Sequence, residues 1–244
     1  MSKPPRFFIS PEQVSGPYII VTDEDVRHIA TVLRMKTGDH LVLCDGRGTE
    51  YIVKISDINK SAIKTNILGQ TTREIRYPLI TLGQGLPKSD KMDLIVQKAT
   101  ELGAASIVAL ITERTIVKVK DEDKRSVRWR RICREAAMQS NRADIPRVEG
   151  IQTFGDYVRT LNPGTRTLLL LPWEEGTEPI KSVLRGRPGV KNIVVLIGPE
   201  GGFSAAEAAL AQERGFHAVS LGSNILRAET AAVAVLAMIG YEYL

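Results

Sequence analysis

The sequence predicts an α/β chain, with a small β-barrel over residues 1–72 and a larger parallel-sheet domain over residues 73–244. Three observations predict it. Short β-branched runs crowd the first third of the chain. From residue 79 onward, continuous apolar runs alternate with helical ones. Three of those later runs open at their carboxyl ends into uneven loops.

In the first part, Phe7–Ile9, Tyr18–Val21, Leu41–Cys44, Tyr51–Ile55 and Ala62–Leu68 have the length and composition of strands. Asp45-Gly46-Arg47-Gly48 supplies a turn between two of them. Val26, Ile29, Ala30 and Leu33 recur at helical spacing, predicting one helix over Asp23–Leu33 capped by Thr22 or Asp23. Several short strands around one helix suggest a small barrel. Gln70–Pro78, with its charges and proline, reads as a linker.

The second part places strands at Leu79–Leu82, Ser106–Leu110, Thr167–Leu171, Asn192–Ile197 and Ala218–Leu221. These runs are continuously apolar, which suits strands buried on both faces of a parallel sheet. A helix over Asp90–Leu102 carries Met92, Ile95, Val96, Ala99 and Leu102 on one face, with Gly103 at its stop. A longer helix over Glu122–Ser140 has Trp129, Ile132, Cys133 and Ala136 on its apolar side, so Trp129 and Cys133 read as packing. The final run, Thr230 to Ile239, is apolar all round and calls for cover on nearly every side.

Ligands of open α/β sheets bind beyond the carboxyl ends of strands. Here those ends are residues 168–175, 195–204 and 220–230. Gly198-Pro199-Glu200-Gly201-Gly202 follows a strand, and Ser204 with Glu207 has capping-box spacing for the next helix. The glycines allow either a tight turn alone or close approach to a ligand. Glu200 would repel a polyphosphate, and neither a P-loop nor a dinucleotide fingerprint occurs. Arg227 and Glu229 stand at the head of the last helix, as an ion pair or as catalytic groups.

Composition excludes disorder, fibres and coiled coils: 43% of residues are hydrophobic and 25% charged. The longest apolar run, Ala231 to Ile239, falls short of the ~18–20 residues that span a bilayer, and no secretory signal is expected. His28, His40 and His217, like Cys44 and Cys133, share no metal spacing, so no metal is expected. A reducing, cytoplasmic setting follows. The net charge is +5, and residues 114–134 hold nine basic and three acidic side chains, a concentrated excess that suits a polyanion or a solvated helix face.

Together these residues resemble the RsmE family of SPOUT methyltransferases. Arg6-Phe-Phe-Ile and His28 through Arg34 to Asp39 are similar to the family's PUA-like barrel, and Lys91 through Gly103 with Thr112-Glu-Arg114 to the start of its catalytic domain. The most specific pieces are Ile197-Gly-Pro-Glu-Gly-Gly202 and Leu221-Gly-Ser-Asn-Ile-Leu-Arg227-Ala-Glu-Thr-Ala231; Ala228 departs from a frequent threonine. The resemblance implies a SPOUT-type trefoil-knotted parallel-sheet domain, a homodimer formed through knot helices, and methylation of uridine N3 in 16S ribosomal RNA or the small ribosomal subunit with S-adenosylmethionine. Another RNA position, or a non-catalytic RNA-binding assembly factor, are the alternatives. Cofactor contacts are expected from Leu171, Pro172, Ile197, Gly198, Pro199, Glu200, Gly201, Gly202, Leu221, Gly222 and Leu226. Arg227 would stabilise charge, and Glu229 would orient it or take the proton. RNA contacts are expected from Arg6, Arg27, Arg34, Lys88 and Lys91, and from Arg114, Arg128 and Arg131 of the basic stretch.

Overall fold

A computed structural model describes residues 4–74, 76–117 and 121–243. Lys118 and Lys120 of the basic stretch, and the first three residues, lie outside the described residues. The chain divides into two compact units: Met1–Ile75 with Ala137–Ile145, and Arg76–Ala136 with Pro146–Leu244. The boundary falls three residues beyond the one read from sequence, and the return of residues 137–145 to the first unit carries no sequence signal.

The first unit holds β1 (Arg6–Phe8), β2 (Val14–Ser15), β3 (Tyr18–Thr22), β4 (His40–Cys44), β5 (Thr49–Ile58) and β6 (Ala62–Thr72) in one sheet ordered β1-β4-β5-β6-β3-β2. β1 runs parallel to β4, and the other pairs are antiparallel. Strand alternation sets the inside: Ile19 and Val21 are buried while Tyr18 and Ile20 are exposed. They join Phe7, Leu41, Val53 and Ile63 in one core. The linker is shorter than expected, because residues 70–72 continue β6 and pair with β5.

The expected helix begins as α1 (Glu24–Arg27) and continues through a π-helical turn at His28–Val32. Asp23 does not cap it with its side chain, which accepts from the Thr22 hydroxyl at 2.8 Å. Its backbone sits at φ 65°, outside the extended region a capping residue uses.

The second unit contains β7 (Leu79–Gly85), α2 (Lys91–Glu101), β8 (Ala104–Ile111), α3 (Glu122–Gln139, whose last residues belong to the first unit), β9 (Arg147–Thr153), α4 (Phe154–Thr160), β10 (Thr167–Pro172), β11 (Glu178–Pro179), α5 (Ile180–Arg185), β12 (Asn192–Ile197), α6 (Ala205–Glu213), β13 (His217–Ser220) and α7 (Ala228–Tyr243). Seven strands form one parallel sheet ordered β11-β13-β10-β12-β7-β8-β9.

Both faces of this sheet are covered, which explains the continuous apolar runs. Leu169, Leu171, Val194, Leu196, Val108 and Leu110 face a core shared with Phe154 of α4 and Ala208 of α6. The alternate residues Ile193, Val195 and Ile197 are also buried, and α7 packs near β12 as well as against α2 and α5. Each fully buried leucine or phenylalanine contributes about 1.5–3 kcal/mol, more than helix propensities distinguish. In α7, Ala232, Val235, Leu236 and Ile239 form the buried stripe, while Ala237 and Tyr241 are exposed. The cover within this chain is therefore one-sided. Trp129 and Cys133 are buried, as packing residues are.

Candidate active site

Because β13, β10 and β12 are adjacent and parallel, their carboxyl ends share one edge of the sheet. The three following loops enclose a cavity of about 340 Å³. Its lining comes from Pro172–Glu174, Ile197–Glu200 with Gly202 and Phe203, and the whole run from Ser220 to Ala228 with Ala231.

Local chemistry shapes each loop. After β10, the Trp173 amide donates to the Val219 carbonyl at 3.1 Å, and Gly176 passes so close to Val219 that a Cβ would lie 2.8 Å from its carbonyl. After β12, a Cβ on Gly198 would lie 2.9 Å from the Gly202 carbonyl carbon, so this glycine lets the loop fold on itself. Gly202 takes φ +68° and donates to the Pro199 carbonyl. Ser204 and Glu207 then form the expected reciprocal capping box. After β13, the Ser220 hydroxyl bonds both polar backbone groups of Gly222.

Neighbouring side chains hold the glycine loop from outside. The buried Gln84 amide nitrogen donates to the Gly198 carbonyl at 3.2 Å. Arg114 Nη1 donates to the Gly201 carbonyl at 2.7 Å, and the Glu113 amide donates to Glu207 at 2.8 Å. The Lys88 amide donates to the Glu200 carboxylate, and Lys91 Nζ lies 3.0 Å from the same group. Partial burial pushes the Glu200 carboxyl up, but hydrogen bonds from its own amide, Lys91 and Lys88 outweigh this and hold it below the ordinary carboxylate range. The Glu200 hydrogen bond holds the Lys91 ammonium above the ordinary lysine range.

The expected site residues fall in different surroundings. Leu171 and Gly201 do not line the cavity: Leu171 is wholly buried in the core, and Gly201 packs against the Arg114 stem. Arg227 lies exposed on the cavity lip with no ion pair or side-chain hydrogen bond among the described residues. Glu229 does not orient it; Glu229 Oε2 instead lies 3.4 Å from Lys91 Nζ.

Among the proposed RNA contacts, Arg6 turns inward. Its side chain is 10% exposed, paired with Glu50 at 2.7 Å, and donates to Cys44 Sγ. Its charge is consumed inside the first unit. Arg128 pairs with Asp93 and Arg131 with Glu135, both on the surface, where such pairs are weak enough to exchange for phosphate. Arg27, Arg34 and the Lys88 side chain are exposed. Sequence reading missed Gln84, Glu113 and the clamping role of Lys91 and Arg114, since these contacts join residues 87–138 positions apart or lie in a buried strand end.

Fold and cavity define a class. Residues 74–240 match the family model described as an RNA methyltransferase domain, and residues 21–68 match an RNA methyltransferase PUA domain. The chain is an RNA methyltransferase by family. Within that class it belongs to the ribosomal RNA small subunit methyltransferase E family. It is 30% identical to that enzyme of Bacillus subtilis over 97% of this chain and 96% of the other, and 34% identical to that of Synechocystis over 96% and 76%. The crystal structure of the Neisseria gonorrhoeae enzyme bound to S-adenosyl methionine matches with TM-score 0.87 and 32% identity, over 99% of this chain and 98% of that one. A Legionella pneumophila methyltransferase with bound SAM matches at TM-score 0.85 and 30% identity, over 98% of each chain.

Proposed function

We propose that this chain transfers a methyl group from S-adenosylmethionine to N3 of a uridine in 16S ribosomal RNA of the small subunit, in the cytoplasm. The observation that carries the reading is the meeting of three strand-end loops around one cavity. Its volume lies in the usual small-molecule range of roughly 300–1,000 Å³. Glu174 and Glu200 outnumber Arg227 among its charged lining residues, so the rim suits a cationic sulfonium and opposes a polyphosphate. Main-chain groups of residues 197–200, Gly202 and residues 221–226, with Pro172, would hold the cofactor, which supplies a methyl group already activated for displacement.

The chain's own residues handle charge and a proton. Uracil N3 becomes nucleophilic as its proton leaves and negative charge spreads to the flanking carbonyl oxygens. Arg227, on the lip and unpaired among the described residues, would stabilise that charge. Glu229, at the start of α7, is the carboxylate for the departing proton. Arg27, Arg34, Lys88 and the surface pairs of α3 would meet phosphate.

We also propose a trefoil-knotted path through the second unit, a closed PUA-like barrel in the first, and a homodimer through α7. The exposed Tyr241 and Ala237 on α7 support the last. Mass spectrometry of ribosomal RNA from cells lacking the protein tests the function: loss of one N3-methyluridine is expected, and an unchanged modification set refutes it.

A further inference from the structure

We propose that Lys91 is a positioning residue for methyl transfer, an ammonium that ties the glycine loop after β12 to the Glu229 carboxylate at the head of α7. This rests on the reading of the site above. Lys91 is the first residue of α2 and reaches two carboxylates from different elements, Glu200 Oε1 at 3.0 Å and Glu229 Oε2 at 3.4 Å. Its side chain is 32% exposed, and Glu229's is 17%.

The geometry is asymmetric. Glu200 has further partners, since the Lys88 amide donates to both of its oxygens. Glu229 Oε2 is buried, and its ion-pair partner among the described residues is Lys91 at 3.4 Å. Two carboxylates beside one site repel; without a cation between them one swings away or takes up a proton. A buried charge that loses its partner is costly. Lys91 therefore keeps the Glu229 carboxylate pointed while the loop holding Glu200 keeps its shape. A lysine serving mainly as a phosphate contact would have to leave Glu229 stranded each time RNA bound.

The test uses the full chain with small-subunit ribosomal RNA and S-adenosylmethionine. Lys91→Met should lower kcat roughly tenfold or more while the RNA KM stays within about twofold. Lys91→Arg should recover most of the turnover, because a guanidinium can bridge two carboxylates. Adding Lys91→Met to Glu229→Gln should cost little more than Glu229→Gln alone, as expected of a residue that acts through the other. If Lys91→Met does not fold, as judged by its urea midpoint, the cycle is run from Lys91→Gln. Unchanged kcat with a raised RNA KM and a salt slope smaller by about one would make Lys91 a phosphate contact and overturn the inference. Additive losses in the double variant would also overturn it. Absence of methyl transfer by the unaltered chain sinks the reading of the site instead.

Discussion

The Arg6 guanidinium reaches Glu50 at 2.7 Å and stays 90% shielded from solvent, so one of the most basic-looking positions near the amino terminus faces inward. Glu50 also accepts from Arg73 at 2.6 Å, and Arg142 offers its carbonyl to Arg6 at 3.5 Å. Arg6→Ala should destabilise the protein by roughly 1.5–3 kcal/mol, the scale of a lost hydrogen bond to a charged group. A urea titration measures it. The RNA-binding salt slope should not change, because Arg6 offers no free charge to phosphate.

Arg227 carries the opposite expectation. It is exposed on the cavity lip and has no side-chain partner among the described residues. Arg227→Ala should leave the urea midpoint and cofactor affinity nearly unchanged and lower turnover by about 10²-fold, as for loss of one charge-stabilising donor. Calorimetry and single-turnover kinetics separate the two effects. Wild-type turnover in this variant would remove Arg227 from the chemistry.

Acid should act on the glycine loop through Glu200. Its carboxyl is held below the ordinary value of 4.5 in the fold, so its contribution is present above that value and is lost as pH falls through the lower, folded value. Cofactor affinity followed by calorimetry should therefore weaken below about pH 4.5. In Glu200→Gln this acid-dependent part should be absent.

Salt separates the two ligands. RNA held by Arg27, Arg34, Lys88 and the α3 arginines should bind with a steep dependence on log salt, since each neutralised phosphate releases counterions. Cofactor held by main-chain groups should show a shallow one. Filter binding and calorimetry across 50–300 mM salt, roughly the range where such slopes are read, compare them. Equal shallow slopes would remove the basic stretch from RNA recognition.

Much of the fold was legible because burial on two faces leaves a plain trace: the run Asn192–Ile197 is apolar at nearly every position and forms β12 over that span. Gly103, at φ 90°, stops α2 as its sequence position predicts, and Ser204 with Glu207 announced α6. Strand β9 was missed because it lies at the sheet edge, where Arg147, Glu149 and Gly150 face solvent and only Val148 is fully buried. The cavity loops were visible as strand ends. The charges around them were not, because charge type does not reveal its partner. Lys91, Arg114 and Arg6 read alike as free cations, and only tertiary contacts assign the first two to the glycine loop and the third to a buried pair.

The stretch Ala137–Ile145 has a consequence for modularity. Ala137 and Ile145 pack with Phe8, Val42 and Cys44, and Asp144 bridges the backbone at Gly46 and Arg47. The amino-terminal module is thus sewn from two pieces of thread, and the second is supplied more than sixty residues after the first ends. Scission near residue 75 would leave it with an oily seam open, so it cannot be transplanted as an uninterrupted cassette. Insertions between the two pieces are constrained by a need that neither piece reveals alone.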